Sequence, residues 1–258
     1  VKEDVVISIG QTGYGGRPHA EYNAIKNSNT DLEGSIMYVT LEPCNHFGKT
    51  APCTNLIIKN KIAEVLYAVD DVDSRVKGKS FNILKSKNIV VKKGLLFNNV
   101  SNFYLSYFFN RKNQSPYVIG KIAVSKNNLI YSRNSKRITD IHSDKLTHFL
   151  RYKNDSLLIT SKTLNQDNPR LSCRLKGLNK FSPKRIILDN KLETKTNSYI
   201  FRTANKKNTI IFYKSANNSK ISIFKKKGIQ LIKSNLTNEG YFKIKLILKK
   251  LYKIGCRN

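Results

Sequence analysis

The chain has no apolar run long enough to cross a bilayer; its longest, such as IAEVLYAV and LILKKL, are short or broken by charge. No membrane span is expected. The N-terminus also lacks the basic, apolar and small-residue succession of a secretory signal, although a sequence starting at Val1 carries no initiating methionine. The expected location is cytoplasmic. There is no internal repeat, and no Gly-x-Gly-x-x-Gly fingerprint of a Rossmann dinucleotide site. Acidic residues are scarce, 17 against 47 lysines and arginines, for a net charge of +30. Such a balance suits a polyanionic partner. Yet the lysines are spread among asparagines and isoleucines, as in KKNTIIFYK, without an arginine-rich stripe or interleaved aromatics. The lysines therefore read first as ordinary exposed positions and not as a nucleic-acid surface, and the charge is compatible with capture of a phosphorylated substrate.

What remains is globular. A length of 258 residues and 40% hydrophobic content allow one large or two ordinary domains. Through the first hundred residues, β-rich runs (VVISIG, SIMYVTLE, AEVLYAVD, NIVVKKG) alternate with helical ones (PHAEYNAIKN, CTNLIIKNK, SFNILKSKN), an α/β rhythm with a mostly parallel sheet. The aromatics of NNVSNFYLSYFFN recur at helical spacing and read as packing. The polar stretch RKNQSP, 111 to 116, reads as a linker, which sets domains at 1–112 and 116–258. The second opens with an expected strand, YVIGKIAVS, then a helix, SDKLTHFLRYK, and the strand SLLIT. An irregular turn around LNQDNPRLS, the strands RIILD, NTIIFY and GIQLI, and a helix YFKIKLILKKLY complete it.

Cys44 and Cys53 each follow a proline and are separated by eight residues, EPCNHFGKTAPC. In a chain of this type they read as metal ligands; Cys173 and Cys256 read as ordinary thiols, and His142 and His148 as surface or packing residues. Upstream, GGRPHAEYNAI places His19 and Glu21 in the first turn of an expected helix. Cys53 opens another, where the dipole favours a thiolate. One neutral imidazole and two thiolates balance the charge of Zn²⁺ and leave a fourth tetrahedral position for water, an open catalytic type of site. A structural zinc would need a fourth protein ligand, and His46 is the rival for that place. Glu21, two residues from a ligand, is the group that can move a proton from water to a leaving amine. His-x-Glu with Pro-Cys and a second Cys is the pattern of zinc deaminases acting on nucleobase-like rings.

TLEPCNHFGKTAPC with the upstream PHAE resembles the bifunctional deaminase-reductases of riboflavin biosynthesis, and the likeness extends over most of both units. The resemblance implies a cytidine-deaminase-like three-layer α/β domain followed by a dihydrofolate-reductase-like α/β domain. It implies zinc on His19, Cys44 and Cys53, Glu21 as general acid and base, and His46, Lys49, Thr50 and Asp71 lining the deaminase pocket, with Lys49 at the ribose phosphate. TSKTLNQDNPRLSCR resembles the reductase segment, which implies Thr163 and Asp167 at NADPH and Leu171 and Arg174 at the substrate. Ser135 and Arg151 match further substrate positions, and Ala123 and Asn190 further cofactor positions. Arg137 stands where the family commonly has tryptophan, and the prolines expected after Asp71 are replaced. The family's first helix and strand would precede Val1 and its glycine-rich cofactor loop would follow Asn258, so the sequence reads as a piece trimmed at both ends. The function implied is hydrolytic deamination of a diaminopyrimidine ribosylamine phosphate, then NADPH-dependent reduction of ribosyl to ribityl. A homo-oligomer is compatible with this. A cytidine or nucleic-acid base deaminase, or a zinc-stabilised nucleic-acid-binding protein, are the alternatives.

Overall fold

The computed structural model describes residues 1–48, 50–130 and 138–258. The chain divides into two compact units, Val1–Lys112 and Asn113–Asn258.

The first unit is built on three parallel strands in the order β1 (Ile36–Leu41), β2 (Glu64–Val69), β3 (Val90–Lys93). Parallel neighbours need a crossover. α2 (Cys53–Lys59) supplies the first and α3 (Lys79–Lys85) the second, while α1 (Ala20–Lys26) precedes the sheet. β2 is central, and its Val65 and Tyr67 are fully buried, as the near-continuous apolar run EVLYAV requires of a strand covered on both faces. Ile57 of α2, Leu84 of α3, Ile62 and Ile89 complete this core with Val65. Gly78 caps α3 at φ +72, a left-handed conformation in which a side chain would be strained. The aromatic segment forms two helices, α4 (Phe97–Phe103) and α5 (Leu105–Asn113).

The second unit holds four parallel strands in sequence order, β4 (Ser156–Thr160), β5 (Lys184–Leu188), β6 (Thr209–Tyr213) and β7 (Gln230–Lys233). Side chains alternate between its faces. Ile187 and Ile211 join Leu164, Ile200, Phe201 and Phe224, contributed by α7 (Ser161–Asp167), α8 (Tyr199–Arg202) and α9 (Asn218–Lys226). Ile186, Leu188, Ile210 and Phe212 point the other way, onto Ile247 and Leu251 of α10 (Ile244–Lys253). The i, i+4 spacing of that last pair is what makes α10 a covering helix. α6 (Ile141–Lys153) precedes β4, with Asp140 accepting from the Ser143 N–H at its N-cap.

Three local expectations change. Residues 6–10 and 117–125 do not form ladder strands, because a β-rich pattern becomes a strand only where a neighbour accepts its backbone bonds. Instead, Tyr117 N–H donates to Arg257 O at 2.8 Å and Ser125 N–H to Leu129 O at 2.8 Å. The segment read as an irregular turn is helical through Asp167: Thr160 accepts from the Thr163 N–H as an N-cap, and Asn168, at φ +44, ends α7. Among the described residues no helix is long and apolar enough to cross a membrane.

Candidate metal centre and reductase-like unit

Three loops of the first unit converge on one point. His19 is the residue before α1, Cys44 follows the end of β1, and Cys53 is the first residue of α2. His19 Nδ1 lies 3.4 Å from the Sγ atoms of both cysteines, and the Cys53 N–H donates to Cys44 Sγ at 3.3 Å. All three donor atoms fall within 4.8 Å of one another. Tetrahedral zinc with ordinary Zn–N and Zn–S bonds separates its N and S donors by about 3.5 Å. The residues therefore fit the ion, both in spacing and in donor chemistry.

Burial and charge agree with that. Cys44 and Cys53 are buried together against Val76. The hydrogen bond from the Cys53 thiol, helped by His19 and by the Cys53 N–H, holds Cys44 down at about 4, while that same bond and burial push Cys53 up. His19 is raised, mainly by its bond to Cys44. Glu21, in the first turn of α1, is only 7% exposed; burial raises its carboxyl, and the Cys53 thiol reaches it.

A brace that sequence reading missed sets the Cys44 side of this centre. Glu42 is 3% exposed, and its carboxylate accepts the N–H groups of Asp71 (3.2 Å), Gly78 (3.0 Å) and Ser80 (3.1 Å). Ser80 Oγ donates to Pro43 O at 2.6 Å, and Asn45 Nδ2 to Val76 O at 3.3 Å. Arg17 was missed as well. Its Nη1 donates to Thr50 Oγ1 at 2.7 Å and lies 3.4 Å from His19 Nδ1. The signal for Glu42 was its place in LEPC, directly before the Pro-Cys pair; for Arg17 it was a cation in the turn before His19.

Of the other pocket residues inferred for this unit, His46 holds a buried Nδ1 with no hydrogen-bond partner among the described residues. Thr50 is exposed and tied to Arg17. Asp71 is buried, with Oδ1 accepting from the Asp73 N–H (2.9 Å) and the Tyr107 hydroxyl (3.2 Å). Lys49 lies outside the described residues, as do Ser135 and Arg137.

In the second unit, Thr163 starts from the end of β4 and Asn190 follows β5; register pairs Thr160 with Leu188, so both stand at the carboxyl edge of neighbouring parallel strands. Open α/β sheets bind ligands at that edge. Asn190 Oδ1 is buried without a partner among the described residues, while its carbonyl accepts from the Lys214 and Ser215 N–H groups. Asp167 is exposed at the end of α7, and Ala123 lies half-buried in the 117–125 segment. Arg151 and Leu171 line one cavity of about 420 Å³, together with Tyr117, Leu157 and Leu248. Thr163, Asp167 and Asn190 do not line it. Arg174 is exposed, and its N–H donates to His148 Nδ1 at 3.1 Å.

Comparison with known proteins accounts for both units. Residues 1–69 match the cytidine and deoxycytidylate deaminase zinc-binding region, and residues 116–258 match the RibD C-terminal domain. The riboflavin biosynthesis protein RibD of Aquifex aeolicus is 33% identical over 253 residues, which cover 97% of this chain and 69% of that protein. RibD of Bacillus amyloliquefaciens is 36% identical over 194 residues, 74% of this chain and 52% of that one. The chain thus spans between about half and about two thirds of the length of these relatives. A solved Thermotoga maritima structure, a diaminohydroxyphosphoribosylaminopyrimidine deaminase/5-amino-6-(5-phosphoribosylamino)uracil reductase, superposes with a TM-score of 0.83 at 29% identity, covering all of this chain and 71% of that one. With a zinc-binding deaminase fold in its first unit and the reductase-type domain in its second, the chain belongs to the RibD family of riboflavin biosynthesis proteins.

Proposed function

We propose that the chain, like its Thermotoga relative, is both a deaminase and a reductase, and that its steps are hydrolytic deamination of a diaminopyrimidine ribosylamine phosphate in the first unit and NADPH-dependent reduction of the ribosyl group to ribityl in the second. The observation that carries the reading is Glu21, buried beside His19, Cys44 and Cys53 with its carboxyl raised. A buried carboxyl next to three metal donors is costly for a structural knot and useful for moving protons.

His19, Cys44 and Cys53 would hold zinc, which would supply Lewis acidity at the site. Glu21 takes the proton from the attacking water and delivers it to the amine that leaves as ammonia. Burial raises its carboxyl, the direction that favours a group which takes up a proton and returns it. His46, with an unspent buried Nδ1, faces the pyrimidine or its sugar, joined by Lys49, Thr50 and Asp71. In the second unit, Arg151, Leu171, Arg174 and Ser135 hold the substrate, and Ala123, Thr163, Asp167 and Asn190 hold NADPH, whose nicotinamide supplies the hydride. The unpaired Asn190 Oδ1 at the carboxyl edge of the sheet supports a polar ligand there. The setting is cytoplasmic and the partner a small phosphorylated pyrimidine, not a nucleic acid.

The test is ammonia release from the diaminopyrimidine ribosylamine phosphate beside cytidine, followed by NADPH oxidation on the deaminated product. Release from the pyrimidine phosphate alone supports the reading. Release from cytidine, or steeply salt-dependent binding of DNA or RNA without any release, overturns it.

A further inference from the structure

His148 reads from sequence as a surface or packing residue, and the fold gives it a specific partner. His148 and Arg151 stand three residues apart on α6, on one face of the helix. Each engages the same short strip of backbone after α7. The Arg174 N–H donates to His148 Nδ1 at 3.1 Å, and Arg151 Nη1 donates to Ser172 O at 3.2 Å. An imidazole that accepts at Nδ1 carries its proton on Nε2 and is neutral. Arg151 meanwhile keeps a buried Nε with no partner among the described residues.

Positive charge outweighs negative around this strip. Burial and the Arg174 charge lower Arg151, against Cys173 and Asp144; burial followed by the Arg174 and Arg151 charges lowers His148, against its hydrogen bond to the Ser172 backbone and the Asp144 charge. Arg151, which lines the second unit's cavity and feels the charge of Arg174, has a donor to spare there, and an anion relieves both.

We propose that His148 is a positioning residue of the second unit: by accepting the Arg174 N–H it fixes the backbone from which Arg174, with Arg151, meets the phosphate end of the substrate. This rests on the reading of Arg151 and Arg174 as substrate-binding residues. His148 itself touches no reacting atom; it sets where one cation stands.

The experiment is calorimetric binding of ribose 5-phosphate to the full chain, with ribose as the uncharged control, for wild type, His148→Leu and His148→Asn. The asparagine amide oxygen can take the place of Nδ1 as acceptor, whereas leucine offers none. Wild type should bind ribose 5-phosphate more tightly than ribose. His148→Leu should weaken that binding about five- to tenfold, the worth of one backbone hydrogen bond, and His148→Asn should restore it. Thermal melting of the three proteins shows whether the fold is shared, and the asparagine variant keeps the comparison informative if leucine disturbs it. Leucine binding as well as wild type, or asparagine as poorly as leucine, would overturn the positioning role alone. Failure of the wild type to prefer ribose 5-phosphate over ribose would overturn this role and the substrate reading of the second unit together.

Discussion

Glu42 and Ser80 lie 38 positions apart in sequence and meet inside the first unit, where the Ser80 N–H donates to Glu42 Oε1 at 3.1 Å. The other carboxylate oxygen takes the Asp71 and Gly78 N–H groups, so one buried side chain closes the loop that carries Val76 onto Cys44 and Cys53. A carboxylate buried this deeply is stable only because backbone donors replace its water. Glu42→Gln places an NH₂ group where an acceptor is needed and leaves at least one of the three N–H groups unsatisfied. The expected loss is about 1–3 kcal/mol of stability, read by denaturant unfolding. Zinc affinity should fall about 10- to 100-fold, as for outer partners of metal ligands, read by competition with a chromogenic chelator.

Metal ligation and proton transfer separate by mutation. Cys53→Ala removes a zinc donor, and the protein should lose both metal and deamination. Glu21→Gln keeps the three donors and should retain one zinc per chain by metal analysis while deamination falls about 10²- to 10⁴-fold. Stoichiometric, tightly held zinc in the cysteine variant would sink the ligand set. Undiminished activity in the glutamine variant would remove Glu21 from the chemistry.

The metal centre could be read from sequence because its chemistry prescribes atoms: an imidazole, two sulfurs and a carboxylate near helix starts leave few other meanings. Glu42 could not be read in the same way. A glutamate before Pro-Cys looks alike whether it is solvated or buried under three backbone N–H groups, and only the return of residues 71–80 decides. His148 was hidden for the same reason, since its partner Arg174 is 26 positions away. The strands β4 to β7 were legible as apolar runs, of which β5 and β6 are buried on both faces. Residues 6–10 and 117–125 carry a similar local pattern, but a strand also needs a neighbour, which composition does not state. The helix α7 was obscured by its asparagines and aspartate, which favour turns until a cap such as Thr160 tips the balance.

Chelation offers a separate check on which unit depends on metal. His19, Cys44 and Cys53 join the start of α1, the end of β1 and the start of α2, so zinc ties together most of the first unit. Among the described residues, that cluster takes its ligands from the first unit. Removing zinc should lower the melting temperature of the first unit and expose its amides to hydrogen exchange, while amides of β5 and β6 keep their protection. Equal loss of protection in β5 and β6 would contradict this assignment of the metal to one unit.

The acid stability of the first unit should depend on Asp73. Its carboxylate accepts from Arg75 Nε (2.9 Å) and Nη2 (2.6 Å) and from Arg111 Nη2 (2.8 Å), and its N–H donates to Asp71. The hydrogen bonds from Arg75, with the Arg75 and Arg111 charges, hold Asp73 far below the usual carboxylate range. A depressed carboxylate stabilises the fold fully above its unfolded value of about 3.9, and that stabilisation drains away as pH falls towards the lower folded value. Asp73→Asn removes the ionisable group and the contribution with it. At pH 7 the variant should therefore unfold at lower urea than wild type, and the gap between them should narrow steadily below about pH 4. A gap that stayed constant from pH 7 to pH 3 would mean that the Asp73 cluster acts through packing and neutral hydrogen bonds, not through its charge.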